Sequence, residues 1–225
     1  MISVCIDTSV LASVAVVDSG ATLANVTDPN PRRQAEGLGD LFTDCLRRAG
    51  FSGPTREAGI ERIIVGTGPG PYTGLRAGLA FAAALGAGLQ VPVLGVSSQE
   101  ILGLGATKQL SEEGNPAARA LVMTDARRKE VYYSVWEGGE GAPSLLAGPS
   151  VGDLQVALQE GRGAATFFAG PVPAHLAGGL EEVGARYFDL DAALLDEIVR
   201  LRETDPASRF SLEPQYLRRP DVNVK

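Results

Sequence analysis

Histidine is almost absent: the 225 residues include one, His175. A lone histidine excludes the His–His pair of a typical zinc site. No serine or cysteine motif stands near it to make a nucleophile–base pair, so it reads as an ordinary surface or loop residue. Cysteine is scarce too. Cys5 and Cys45 are isolated, which gives neither a disulfide framework nor a metal-binding spacing, and a reducing cytoplasm is the default compartment. No apolar run approaches the roughly 20 residues of a membrane span. The opening "MISVCIDTSV" has no basic region ahead of its apolar stretch and carries Asp7 inside it, so it reads as a β-strand and not as a signal peptide. Positive charge is short as well: 20 Lys and Arg against 27 Asp and Glu leave a net charge of −7. Autonomous nucleic-acid binding needs clustered cations. Here Arg32–Arg33, Arg47–Arg48 and Arg218–Arg219 are scattered, and the densest group, Arg127–Arg128–Lys129, reads as solvated surface.

Glycine is plentiful, at 28 residues, and its most suggestive use is "GTGPGPYTGLRAG" at residues 66–78. Strand, glycine-rich turn and helix is how many phosphate-binding loops are built. No Walker lysine follows the glycines, and position 71 is proline where a dinucleotide fingerprint needs glycine. Pro69 and Pro71 also lack the backbone N–H groups that cradle an anion. The loop is built for shape more than for anion capture.

Along the chain, "ISVCIDTS", "ASVAVVD" and "ATLANVT" read as an antiparallel β-β-β opening, with Asp18-Ser19-Gly20 as a hairpin turn. Leu38, Leu41, Phe42, Cys45, Leu46 and Ala49 recur at helical spacing, and Gly50 stops that helix. "ERIIVG" is a buried strand, and "VPVLGVS" another. Ser97 and Glu100 have capping-box spacing at the start of a short helix. The polar stretch "TKQLSEEGNPAAR" separates the halves. In the second half, "ALVMTDARRKEVYYSVWE" predicts two strands joined by a charged turn, "EGGEGAPSLLAGPS" a loop, and "VGDLQVALQEG" a helix. "AATFFAG" and "ARYFDLD" follow as strands and "LLDEIVRLRE" as a helix, before an extended tail "EPQYLRRPDV". Both halves open on strands around an aspartate, Asp7 and Asp125. The expectation is an α/β protein with mixed sheets flanked by helices, in two related lobes at 1–105 and 106–225.

The helix after the glycine loop carries one charge, Arg76, between Tyr72 and Leu89. A helix that is apolar all round must be covered all round. Gly74, Gly78, Phe81 and Leu85 share one face and Ala77, Ala80, Ala84 and Ala87 another. Glycines four apart let a second helix approach closely. The cover is either the chain's own sheet and helices or another protein.

Five segments, "CIDTS", "GPGPYTGLRAGLAFA", "VPVLGVSSQE", "DARRKEVY" and "PQYLRRPD", come in the order seen in the TsaB (YeaZ) family, and the resemblance spans nearly the whole chain. It implies the two-lobed fold of the actin, sugar-kinase and chaperone-ATPase superfamily, with an RNase H-like first lobe. It also implies a non-catalytic subunit of the bacterial complex that places threonylcarbamoyl on the tRNA adenosine next to the anticodon. In that family the partners are TsaD, a catalytic paralogue with metal-binding histidines, and a small ATPase, TsaE. Another enzyme makes threonylcarbamoyl-AMP. The family contacts TsaD, or a second copy of itself, through helices of the first lobe. Carried onto this chain, the contact surface is expected at Leu38, Leu41 and Phe42 of the first helix. On the second helix it is expected at Tyr72, Gly74, Arg76, Gly78, Phe81, Ala82 and Leu85. No cofactor of its own is expected, with ATP or ADP and a metal only in or near the complex, and tRNA only through it. Two departures stand out: Pro71 replaces the usual serine, and Gln34 a histidine. In active members of the superfamily an aspartate like Asp7 helps hold a metal–nucleotide. Here Asp7 and Thr8 are followed by no glycine-containing hairpin, so Asp7 is expected to cap its own turn, with residual nucleotide contact by Asp7 and Thr8 the alternative. Asp125 carries the same ambiguity, with Arg127 and Arg128 nearby as ion-pair partners. The rival class is an active small-molecule kinase or a glycoprotease-like enzyme of the same fold. Kinase chemistry wants a phosphate hairpin, Mg²⁺ carboxylates and a base.

Overall fold

A computed structural model describes residues 1–30, 36–139, 141–203 and 210–218. Gln34, Arg32–Arg33 and Arg219 lie outside the described residues. Two five-stranded sheets share one connectivity. The first contains β1 (Ile2–Asp7), β2 (Ala12–Asp18), β3 (Ala21–Asp28), β4 (Ile60–Gly66) and β5 (Val93–Val96), in the order β3-β2-β1-β4-β5. The second contains β6 (Arg119–Arg127), β7 (Glu130–Glu137), β8 (Ser144–Asp153), β9 (Ala165–Ala169) and β10 (Arg186–Phe188), in the order β10-β9-β6-β7-β8. In each, the first three strands are antiparallel and the last two run parallel to the first. The two-lobed mixed α/β class expected from the sequence is therefore present; Asp7 ends β1, and Asp125 lies two residues before the end of β6.

Side chains alternate across each sheet because successive Cβ atoms point to opposite faces. From β1, Val4 and Ile6 pack on α1 (Leu38–Arg48) and α2 (Tyr72–Leu89). Cys5 points the other way, into a layer shared with Ile101 of α3 (Ser98–Glu112) and Ile198 of α6 (Leu194–Arg202). From β6, Ala120 and Val122 enter that same layer. Leu121 and Met123 pack outward on α4 (Leu154–Glu160) and α5 (Ala174–Glu182). The result is five layers, with α3 and α6 between the sheets. Fully buried side chains such as Ile101, Leu102 and Phe167 contribute about 1.5–3 kcal/mol each before the entropy of ordering them.

Several details differ from the sequence reading. α6 does not stay with the second lobe: it packs on β1, β4, β5 and α3, so the 106–225 unit loses its last helix to the first sheet. The tie is electrostatic as well as apolar. Asp196 accepts from Ser3 Oγ (2.6 Å), Arg62 Nη2 (2.7 Å) and Arg200 Nε (3.0 Å). Burial alone would raise the Asp196 carboxyl, but these donors outweigh it and hold it below its ordinary value. A buried ion pair needs such extra bonds to offset desolvation. α3 runs on through "TKQLSE", because Leu104 and Leu110 are buried in the central layer. β8 forms where a loop was expected, pairing with β7. α5 was missed, and His175 sits in it, exposed. The capping box does not form: Ser97 makes no side-chain cap, and Glu100 is held by Arg202 (2.9 Å).

Candidate functional site

The glycine loop closes over Asp7. A Cβ at Gly66 would overlap Asp7 Oδ2. Ser9 N–H (2.7 Å) and Ser9 Oγ (2.6 Å) donate to Asp7 Oδ1, and Ser98 Oγ (2.6 Å) donates to Oδ2. Gly68 N–H in turn donates to Ser98 Oγ (3.1 Å). A Cβ at Gly70 would lie 2.7 Å from Ser9 Cα. Glycines at 66 and 70 thus let two backbone segments close on one carboxylate. The expected turn cap is observed, as Asp7 accepts from the N–H two residues on. Thr8 donates to Gly74 O (2.8 Å), and both Asp7 and Thr8 are fully buried. That corrects the alternative in which these side chains face a nucleotide: their polar atoms are already engaged inside the fold.

Burial raises the Asp7 carboxyl above its ordinary value, against the pull of the Ser9 and Ser98 hydroxyls. A raised folded pKa favours the folded state where the carboxyl is protonated, and that contribution is lost as pH rises through the folded pKa. Asp7→Asn is therefore expected to fold. The wild type should gain stability relative to that variant as pH falls from 7 toward the ordinary aspartate value near 4. Melting curves across pH 4–7 check the sign. A wild type that loses ground to Asp7→Asn on acidification would contradict this account of Asp7.

At the equivalent end of the second sheet, Asp125 Oδ1 accepts from Arg127 N–H (2.8 Å), and Oδ2 pairs with the Arg127 guanidinium (3.3 Å). Ser9, Pro71, Thr124 and Arg127 line a cavity of about 60 Å³ between these strand ends. A water needs on the order of 10–15 Å³ of such space, so the cavity suits a few waters, and the residues present do not fit a nucleotide. A larger cleft of about 560 Å³ lies between Trp136, Glu100, Arg202 and Gln215. Its buried charge, Glu100, is already matched by Arg202. Among the described residues no group of three or more His, Cys, Asp or Glu is arranged to hold a metal. No described helix is long and apolar enough to cross a membrane.

α2 separates into two stripes. Gly74, Leu75, Gly78, Ala82 and Gly86 are buried. A Cβ at Gly78 would overlap Thr8 Oγ1, and one at Gly86 would overlap Val93. These glycines let α2 lie close on its own sheet. Gly74, Gly78 and Ala82, expected at a partner contact, are therefore internal. So are Leu38 and Phe42 of α1, whose ring packs edge-on against Phe81 at 5.7 Å. Leu41, Tyr72, Phe81 and Leu85 remain half-buried and Arg76 exposed. The outward stripe that sequence reasoning left out of the contact set is Ala80, Ala83, Ala84 and Ala87, all exposed. Their spacing of three and four was the available signal.

The tail ties these parts together. Gln215 N–H donates to Thr67 O (2.9 Å). Tyr216 stacks on Tyr72 (4.8 Å) and accepts from Arg76 Nε (3.1 Å). Arg218 donates to Ala126 O (2.8 Å) and pairs with Glu130 (2.6 Å).

A family model for TsaD, tRNA N6-adenosine threonylcarbamoyltransferase, matches residues 30–159, more than half of the chain. The chain is 32% identical over 136 residues to the tRNA threonylcarbamoyladenosine biosynthesis protein TsaB of Escherichia coli, covering 60% of this chain and 54% of that protein. A solved structure, YeaZ from Pseudomonas aeruginosa, superposes with a TM-score of 0.68 at 25% identity, over 96% of this chain and 99% of that one. The chain belongs to the TsaB/YeaZ family. A second Pseudomonas aeruginosa structure, described as an uncharacterized protein with similarity to peptidase YeaZ, superposes with a TM-score of 0.69 at 29% identity, covering 96% and 99% of the two chains. An uncharacterized protein of Mycobacterium tuberculosis is 47% identical over 77 residues, 34% of this chain. The matches span only 22 to 32% of the length of the mycobacterial relatives.

Proposed function

We propose that the chain is a non-catalytic subunit in the biosynthesis of threonylcarbamoyladenosine in tRNA. It binds and supports a TsaD-like catalytic paralogue, with a TsaE-like ATPase joining the complex in the cytoplasm. The observation that carries this reading is the outward stripe of α2. Ala80, Ala83, Ala84 and Ala87 form an exposed, uncharged, small-residue surface beside Leu41, Phe81 and Leu85. Small side chains let a second helix pack closely, and an uncharged helix face is costly to leave in water. The same stripe serves a second copy of the chain when the paralogue is absent. Threonylcarbamoyl transfer, nucleotide and tRNA contacts then belong to the complex. The name of the Escherichia coli relative supports the pathway. The enclosed Asp7 weighs against the kinase alternative, which needs an open carboxylate for a metal–nucleotide.

The test is reconstitution. The purified chain should neither hydrolyse ATP appreciably nor transfer threonylcarbamoyl to tRNA. Transfer should appear once the paralogue, the ATPase and threonylcarbamoyl-AMP are added. Robust turnover by the chain alone, lost in Asp7→Asn, would favour the kinase reading instead.

A further inference from the structure

Thr124 faces the junction between the two sheets. Met123 packs outward with α4 and α5, so its neighbour along β6 points the opposite way. Thr124 is 3% exposed, and among the described residues its Oγ1 is the one buried side-chain oxygen or nitrogen without a hydrogen-bond partner. An unpaired buried hydroxyl destabilises a fold, and native structures rarely leave one. Thr124 lines the cavity of about 60 Å³ whose walls come from both halves of the chain. Ser9 and Pro71 belong to the first half, and Asp125, Arg127 and Pro171 to the second.

The chemistry of these walls selects the occupant. Asp125 and Arg127 pair at 3.3 Å, so together they leave no net charge. An anion would meet the Asp125 carboxylate, and a cation the Arg127 guanidinium. Pro71 and Pro171 bring no N–H to cradle an oxyanion. The Asp125 oxygens keep lone pairs beyond the bonds they accept from Arg127. A hydroxyl, a carboxylate and a guanidinium supply the roughly two to four polar partners that a buried water takes, and the volume is that of a few waters.

We infer that this cavity is a water site, in which Thr124 Oγ1 and the Asp125 carboxylate hold an ordered water. That water gives Thr124 its missing hydrogen bond. The turn after β1 and the end of β6 then meet through solvent, whereas Ile101 and Ile198 of α3 and α6 join the sheets through apolar packing.

Thr124→Val tests this, because valine copies the shape of threonine without the hydroxyl. If the hydroxyl were unpaired, removing it would relieve a penalty and raise the melting temperature by at least about 2–4 °C. With water bound, the variant takes a partner from that water and should melt level with wild type or up to about 4 °C lower. A high-resolution crystal structure of the wild type should show a water about 2.5–3.0 Å from Thr124 Oγ1, and the Thr124→Val structure should lose it. Xenon under pressure, which enters dry apolar cavities, should stay out of the wild-type cavity. Millimolar inorganic phosphate should shift the melting of both proteins equally. A wild-type cavity without water density, xenon density inside it, or a Thr124→Val protein that melts above wild type overturns the inference. Phosphate that raises the melting temperature of wild type alone overturns it in favour of an anion site.

Discussion

Gly66→Ala is expected to be among the most destabilising single-methyl additions in the chain. The new Cβ overlaps Asp7 Oδ2 and lies 2.7 Å from Asp7 Cγ and 2.8 Å from Ser98 Oγ. Neither neighbour is the free end of a flexible chain, since both sit in one buried hydrogen-bonded cluster. Overpacking costs about 1–3 kcal/mol. Breaking a buried bond to a carboxylate adds about 1.5–3 kcal/mol. At 2–4 °C per kcal/mol for this chain length, the melting temperature should fall by roughly 10 °C. The same substitution in an Asp7→Ser background should cost less, because the nearest clash, with the Asp7 carboxylate, is gone and only Ser98 Oγ remains close. A Gly66→Ala protein melting within 2 °C of wild type would mean that the loop does not clamp Asp7.

The second large effect is on association. Ala84 is exposed on α2, so Ala84→Glu should leave the fold within about 0.5 kcal/mol of wild type. Buried without a partner at an interface, the new carboxylate costs several kcal/mol. At about 1.4 kcal/mol per tenfold, that weakens binding by about 10²-fold or more. Gly78→Glu behaves in the opposite way. Its side chain would have to displace Thr8, whose hydroxyl holds Gly74 O, so it should melt far below wild type whether or not a partner is present.

The contrast between Ala84 and Gly78 shows where the sequence is legible. Apart from β8, the strands of both sheets could be read from alternating or continuous apolar runs, and the strand-end aspartates marked the duplication. That α2 is apolar almost all round, with Arg76 as its one charge, was also readable. Which stripe meets which neighbour was not. Glycines four apart suit a partner helix and the chain's own β-sheet equally, and the choice is made by Thr8 and Val93, which come together with them only in three dimensions. β8 was hidden because Pro143, Gly148 and Pro149 punctuate it as they would a loop. Its strand character comes from pairing with β7. α5 is short and contains Gly178 and Gly179, and only Leu176 and Leu180, buried at i and i+4, betray it. The glycine loop carries no Walker lysine, which the sequence shows directly. Its object, a carboxylate 59 residues earlier in the chain, lies beyond any local pattern. The Arg218 brace on the hairpin is long-range in the same way.

The central claim is that this chain works by presenting the outer stripe of α2 to a TsaD-like paralogue. The most direct measurement is thermal melting beside co-elution with that paralogue, for wild type, Ala84→Glu and Gly78→Glu. The account predicts that wild type co-elutes, that Ala84→Glu melts like wild type and elutes alone, and that Gly78→Glu melts far lower. An Ala84→Glu protein that melts normally and still co-elutes would contradict it.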